Sequence, residues 1–332
     1  MKKVLFIILA LSLVLGLAAC GNATEGPKPG DASKKFVIGV STQGTNNDWA
    51  ASALVHFNAA FAEHKDQTKE LIMKYTGFDD QQQIADIEAF ITQGVDAMIV
   101  QPVSETSTAN VIEKAKEKGI KVIVWGALSG TDKYDAYVDR DHKATGGEYA
   151  KYVVDRLGGK GNVIVILGYP GSGYSNSVLK GIKEVVDKNP GIKVLGEEYA
   201  EYTPDKAKQI VESYFAAGKQ VDGIIVDGGL MGSGALEAFK DSGKTLVPMS
   251  CDDTYLFLNK AHEMGFTDYI TCSSGQELAY DAVGVLFKVL NGEKLDKDII
   301  TAPQTIQGKD LDQKIDGKAP ASSWYFSKVP TP

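Results

Sequence analysis

Val95-Asp96-Ala97-Met98-Ile99-Val100-Gln101-Pro102 returns as Val221-Asp222-Gly223-Ile224-Ile225-Val226-Asp227-Gly228, an offset of 126 between residues 95 and 221. The same offset carries Val37-Ile38-Gly39-Val40 onto Val163-Ile164-Val165-Ile166. It brings Lys121-Val122-Ile123-Val124 beside Thr245-Leu246-Val247-Pro248. Self-similarity at one period defines architecture before any local detail. It predicts two copies of one α/β unit in tandem, with the functional pocket between them.

Outward from that stretch, short apolar runs of buried-strand type alternate with helix-period stripes. In the first unit the predicted strands are 36–40, 71–75, the opening stretch 95–102, and 121–125. The first helix carries Ala53, Leu54, Phe57, Ala60 and Phe61 on one face, with Asn47 or Asp48 as its cap. In the second unit the strands are expected at 162–167, 193–199, 223–226 and 246–249, with helices near 177–187, 204–217 and 234–241. One more strand and a helix fall within 269–291, and 303–332 reads as irregular. Continuous apolar strands alternating with helices indicate parallel sheets covered on both faces.

Composition sets the class. At 332 residues, 43% hydrophobic and 23% charged, the chain has the length for two domains with separate cores. Its net charge of −8 disfavours nucleic acid, which requires a basic face. Cys251 and Cys272 read as buried free thiols, with a disulfide between them left open.

Residues 1–20 read as a targeting segment. Lys2-Lys3 precede an apolar run from Val4 to Leu17 that is too short for a good membrane span. It ends in Leu17-Ala18-Ala19-Cys20-Gly21, which resembles a bacterial lipobox and implies acylation of Cys20. Acyl chains would then hold the protein to the membrane surface. Residues 21–35 lack the apolar content to build a core and read as a flexible tether.

Lipobox, tether and tandem α/β units together resemble the type I solute-binding proteins of ABC sugar importers, the ribose-binding group in particular. The resemblance rests on Ile38-Gly39-Val40-Ser41 with Asn46-Asn47-Asp48-Trp49, on the Gly94–Pro102 stretch, and on Asp227-Gly228-Gly229 followed by Gly234-Ala235-Leu236. Val289-Leu290-Asn291-Gly292-Glu293-Lys294 completes it. It implies two Rossmann-like lobes joined by three crossings, near Asp139, Cys272 and Thr301. The first lobe would hold residues 36–138 and 274–300, and the second 139–273 and 301–320, leaving 321–332 as an irregular tail. Ligand would bind between the lobes at the carboxyl ends of the strands, where open α/β sheets form their crevices, and would drive hinge closure.

Trp49 and Trp125 end up after strands, where flat rings can cover the C–H faces of a sugar; each could equally be a core anchor. By position, the resemblance makes Asn47 and Trp49 the pair after the first strand, Asn176 the substitute for a ligand-binding Arg, and Tyr202 the second-lobe aromatic. It places a polar contact at Asp227-Gly228, an acid at Asp253 (or Asp252, one residue earlier) and a hinge polar group at Ser273 or Gln276. Tyr169 and Tyr174 add aromatic surface. The family's Asp-Arg after the fourth strand is Gly126-Ala127 here. Two guanidinium forks are therefore missing, which disfavours an anionic ligand and puts ribose in doubt. The expected ligand is a small neutral sugar or polyol.

The four histidines show no metal spacing, no G-x-S-x-G elbow is present, and Gly171-Ser172-Gly173 and Gly232-Ser233-Gly234 read as loops with room for positive φ. No catalytic residue, cofactor or metal is expected. Asp139-Arg140-Asp141 reads either as a hinge-side ion pair or as a solvated turn. The predicted role is a monomeric, lipid-anchored binding protein delivering sugar to ABC permease subunits. A sensor facing a receptor kinase and a secreted enzyme on the same scaffold are the alternatives.

Overall fold

The computed structural model describes residues 34–44, 48–315 and 317–329. The proposed signal peptide, Cys20, almost all of the tether and Asn47 lie outside the described residues. Two parallel-dominated sheets, each flanked by helices, form the molecule. The first unit runs β1 (Phe36–Thr42), α1 (Asp48–Glu63), β2 (Thr68–Tyr75), α2 (Asp80–Gln93), β3 (Ala97–Val100), α3 (Ala109–Glu117), β4 (Lys121–Trp125) and β5 (Ala136–Arg140). The second runs α4 (His142–Arg156), β6 (Gly161–Leu167), α5 (Gly173–Val186), β7 (Ile192–Tyr199), α6 (Pro204–Ala216), β8 (Gly223–Val226), α7 (Gly229–Ser242), β9 (Met249–Asp252), α8 (Tyr255–Glu263) and β10 (Tyr269–Cys272). The chain then gives α9 (Leu278–Leu290), β11 (Asp298–Thr301), β12 (Thr305–Gln307) and α10 (Gly308–Leu311).

The strand orders are the same in both sheets: β11-β5-β4-β3-β1-β2 and β12-β10-β9-β8-β6-β7. Every central strand is buried, which is why the sequence shows unbroken apolar runs there. β11 joins its sheet in parallel and β12 joins the other antiparallel, so the third crossing falls between Thr301 and Thr305. Each sheet therefore has six strands rather than the four the repeat predicts.

Two sequence expectations need correction. The strand expected at 246–249 begins at Met249 and ends at Asp252. Leu246 and Val247 are only partly buried, and Pro248 contributes its carbonyl to Ile224 but has no N–H for a ladder. Gly232-Ser233-Gly234 is not a loop: it lies inside α7. A Cβ on Gly234 would come within 2.0 Å of the Pro204 carbonyl oxygen, so this glycine serves close helix packing. Cys251 and Cys272 are free and buried.

The three crossings meet at one side chain. Arg140, at the end of β5, pairs with Glu277 ahead of α9, both about 1% exposed. Its Nη1 donates to the Ala302 carbonyl at 2.7 Å, between β11 and β12. Ser273 donates to the same Glu277 carboxylate at 2.8 Å. Of the two readings of Asp139-Arg140-Asp141, the buried ion pair is the one observed.

The tail is irregular but not loose. Phe326 N–H donates to Asp253 Oδ2 at 2.7 Å, and Trp324 bridges Thr254. The next residues cross to the first unit: Lys328 N–H donates to His56 Nε2 on α1 at 3.2 Å, and its ammonium pairs with Asp281 on α9 at 2.5 Å. Burial lowers the His56 pKa, and the neutral ring keeps Nε2 as an acceptor. The tail is thus a fourth tie between the lobes.

Arg140→Met should lower the unfolding free energy by about 3–5 kcal/mol, because it strands a buried carboxylate. Arg140→Met with Glu277→Leu should recover about half or more of that loss, since the pair is replaced by apolar volume. Urea unfolding checks both; a single variant within about 1 kcal/mol of wild type would mean that Arg140 does not hold the three crossings together.

Candidate ligand-binding site

The cavity between the sheets has a volume of about 250 Å³. It opens where the strands of both sheets end. β1, β3 and β4 lead to Gln43, Gln101 and Gly126 on one wall, while β6, β8 and β9 lead to Tyr169, Asp227 and Asp252 on the other. Parallel strands deliver their carboxyl ends to one edge, so the fold alone brings these residues together.

On the first-unit wall, Trp49 stacks on Trp125 with centroids 5.4 Å apart and planes 11° off parallel. Trp125 is fully buried and braced edge-on by Phe57 at 5.1 Å. Trp125 is therefore the backing of the wall and Trp49 its face. Trp49 Nε1 donates to the Ser274 carbonyl at 3.3 Å, which ties the ring to the second crossing. Gln101 accepts from Thr42 Oγ1 at 2.8 Å, and Gln83 holds the following loop through Val103 N–H at 2.8 Å. Ser104 donates to Asp80 at 3.1 Å.

The second-unit wall is built around Asp227. Its Oδ2 accepts from Ser175 Oγ at 2.8 Å and Gly168 N–H at 3.2 Å, while Oδ1 is buried without a partner. Burial raises its pKa to about 7 against those two hydrogen bonds. Tyr174 donates to the Asp227 carbonyl at 2.8 Å, and the Tyr202 hydroxyl lies 3.0 Å from Ser175 Oγ. Glu201 and Tyr202 both hold positive φ, 50° and 54°, an uncommon pair for side chains with a Cβ. Gly168 makes room for that ring: a Cβ there would lie 1.9 Å from Tyr202 Cζ. Asp252, at the end of β9, accepts from Gly229 N–H, and burial together with the Asp253 charge pushes its pKa well up. The walls meet through Phe78 and Tyr169, with ring centroids 4.4 Å apart.

Of the residues singled out from sequence, Trp49, Tyr169, Tyr174, Tyr202, Asp227 and Gly228 line the cavity, with Trp125 behind them. Asp253 does not: alternation along the strand turns it to the tail, and Asp252 takes the cavity position. Ser273 is engaged with Glu277 in the hinge, and Gln276 with Ser274, whose residue does line the cavity. Asn176 sits in the first half of α5 and is not among the wall residues. Gln43, Phe78, Asp80, Gln101 and Ser104 were not singled out. Gln101 was legible, since it aligns with Asp227 in the repeat. Trp324 was not: it comes from the irregular tail, is 3% exposed, and leaves its Nε1 without a partner.

Two lobes with a ligand-sized cavity at a three-crossing hinge define a binding protein. The periplasmic binding protein domain model matches residues 38–294, and the chain belongs to that family. It is a binding protein of an extracytoplasmic family, not an enzyme. The chain is 35% identical over 181 residues to the xylitol-binding protein of Mycolicibacterium smegmatis, covering 54% of this chain and 52% of that one. It thus spans about half the length of that relative. It is 26% identical to the ribose import binding protein of Bacillus subtilis, over 76% of this chain and 82% of that one. An ABC transporter solute-binding protein from Bacillus halodurans with bound myo-inositol superposes with a TM-score of 0.76 at 23% identity, over 85% of this chain and 98% of that one. No helix among the described residues is long and apolar enough to cross a membrane.

Because the folded-state pKa of Asp227 lies near 7, above its ordinary value, the folded protein holds this proton longer than the unfolded chain. That contribution to stability is full in acid and is lost as pH rises through about 7. Asp227→Asn, which mimics the protonated carboxyl, should raise the ligand-free Tm at pH 8 by about 3 °C or more, with the gap closing toward pH 4. Thermal unfolding across that range checks the sign; an Asn variant less stable at pH 8 would contradict it.

Proposed function

We propose that the protein is an extracytoplasmic lipoprotein of an ABC importer. It binds a small sugar or polyol between its lobes, closes on it, and hands it as a monomer to the permease. The observation that carries this reading is the cavity itself. Aromatic faces from both units enclose it, and Asp227 and Trp324 line it while each keeps a buried polar atom, Oδ1 and Nε1, without a partner. Rings cover the C–H faces of a polyol while such groups take its hydroxyls. The xylitol-binding and ribose import relatives support the ligand class. Cys20 behind Leu17-Ala18-Ala19 supports the anchor, with residues 21–35 as its tether. Asn47, two residues before Trp49 in the sequence, is retained as a proposed contact. Asn176, Ser273 and Gln276 are assigned to supporting positions.

A thermal-shift screen of the chain from Lys34 onward, against pentoses, hexoses, sugar alcohols and cyclitols, tests the binding. A ligand at 100 times its Kd should add about 2.7 kcal/mol of stability. Trp49→Ala should abolish the shift, whereas Asn176→Ala should leave most of it. A folded protein indifferent to the whole panel would sink the polyol reading. Cys20→Ser should abolish incorporation of labelled palmitate and release the protein from membranes.

A further inference from the structure

The cavity carries acids with no base to balance them. Asp80, Asp227 and Asp252 line it, and no Lys, Arg or His does so among the described residues. Asp227 follows β8 and Asp252 ends β9, adjacent strands of one sheet, so both carboxyls rise at the same edge. Gly229 N–H holds Asp252 Oδ1, and Ser175 with Gly168 holds Asp227 Oδ2. Asp227 Oδ1 has nothing, in a residue 1% exposed. The nearby guanidinium of Arg140 is committed to Glu277 and Ala302 and is not part of the wall.

The apolar half of the wall matches that charge. Trp49, Phe78, Tyr169, Tyr174, Tyr202 and Trp324 line the same space. Aromatic faces present negative quadrupole charge and attract a cation placed over them. Burial holds Asp227 and Asp252 toward the protonated form, and a cationic group brought by the ligand is what would pair them as carboxylates. Trp324 lines the same space, and its buried Nε1, a donor only, has no acceptor. A single molecule that answers both demands carries hydroxyls and a protonated amine.

We infer that the preferred ligand is an amino sugar or amino polyol, whose ammonium group sits among the aromatic rings against Asp227 and Asp252. This rests on the polyol reading above and narrows it. A hydroxyl donates one hydrogen bond to a carboxylate, whereas an ammonium donates up to three and supplies the missing countercharge.

The test is isothermal titration at pH 7 with matched pairs: D-glucosamine and D-glucose, D-galactosamine and D-galactose, 1-amino-1-deoxy-D-glucitol and D-glucitol. At least one amine should bind about tenfold or more tightly than its hydroxyl parent, the cation–π and charge-pairing range. Asp252→Asn and Asp227→Asn, each checked for native fold by circular dichroism, should bring the pair within about twofold of each other. Trp324→Phe, which keeps the ring and removes the N–H, should weaken both members of the pair. If the hydroxyl parents bind as tightly as their amines, the amine inference falls and a neutral polyol site stands. If neither series binds folded protein, the polyol reading falls and takes this inference with it.

Discussion

Arg140 is the side chain on which the two-lobe arrangement depends. A hinge made of three chain crossings must stay together while the lobes move, and these three share one guanidinium: the first crossing supplies it, the second supplies Glu277, the third supplies the Ala302 carbonyl. A fork of fixed donors can hold a carboxylate and a carbonyl at once, which a lysine could not do with the same geometry. The pair is fully desolvated, so its energetic merit lies less in net stability than in specifying where the crossings lie. Asp139 extends the cluster by accepting from the Tyr137 hydroxyl and pairing with His142 at 2.7 Å. All four residues stand within one short stretch of sequence at the end of β5, which is why a charged tripeptide could look like a solvated turn.

Near-identical sheets with unlike chemistry explain what the sequence disclosed and what it hid. The repeat is physical: Gln101 N–H bonds the Ser41 carbonyl as Asp227 N–H bonds the Ile166 carbonyl. Positions at the ends of β3 and β8 are therefore equivalent, and both reach the cavity. The two copies differ in the residue at a fixed position, Gln in one and Asp in the other, while the strands stay where they are. Buried apolar runs made most strands legible. β9 slipped because Met249-Ser250-Cys251-Asp252 is too polar to look like a core strand, while Leu246-Val247 beside it looks like one. The resemblance put the acid at Asp253 with Asp252 one residue earlier as the alternative, and Asp252 is the one that lines the cavity. In a strand, one residue of error reverses the face.

Groups that come from tertiary return could not be read locally. Trp324 belongs to a segment with no periodicity, and its place in the wall is set by Asp253, which accepts from Phe326, and by the Thr254 bridge. The tail beyond it then reaches His56 and Asp281 on the first unit. Its burial is a consequence of contacts with both lobes, and no window of sequence contains them. The same holds for Ser274, whose carbonyl fixes Trp49 across a separation of 225 residues in the chain.

The rest of the fold holds the site in an unfavourable state. Asp227 and Asp252 are buried against their charge, Tyr202 keeps a left-handed backbone, and Asp227 Oδ1 and Trp324 Nε1 lack partners. Each of these costs free energy that the four hydrophobic clusters on the sheet faces offset. A ligand that completes the unpaired groups recovers part of that cost, and one that leaves them unpaired does not. Discrimination by buried polar groups is steep for this reason, while an apolar wall alone separates similar molecules only weakly. The stacked Trp49–Trp125 pair supplies area and orientation, and the acids supply the choice. Rings set the size and flatness of what enters, and charge decides which molecule of that shape is kept.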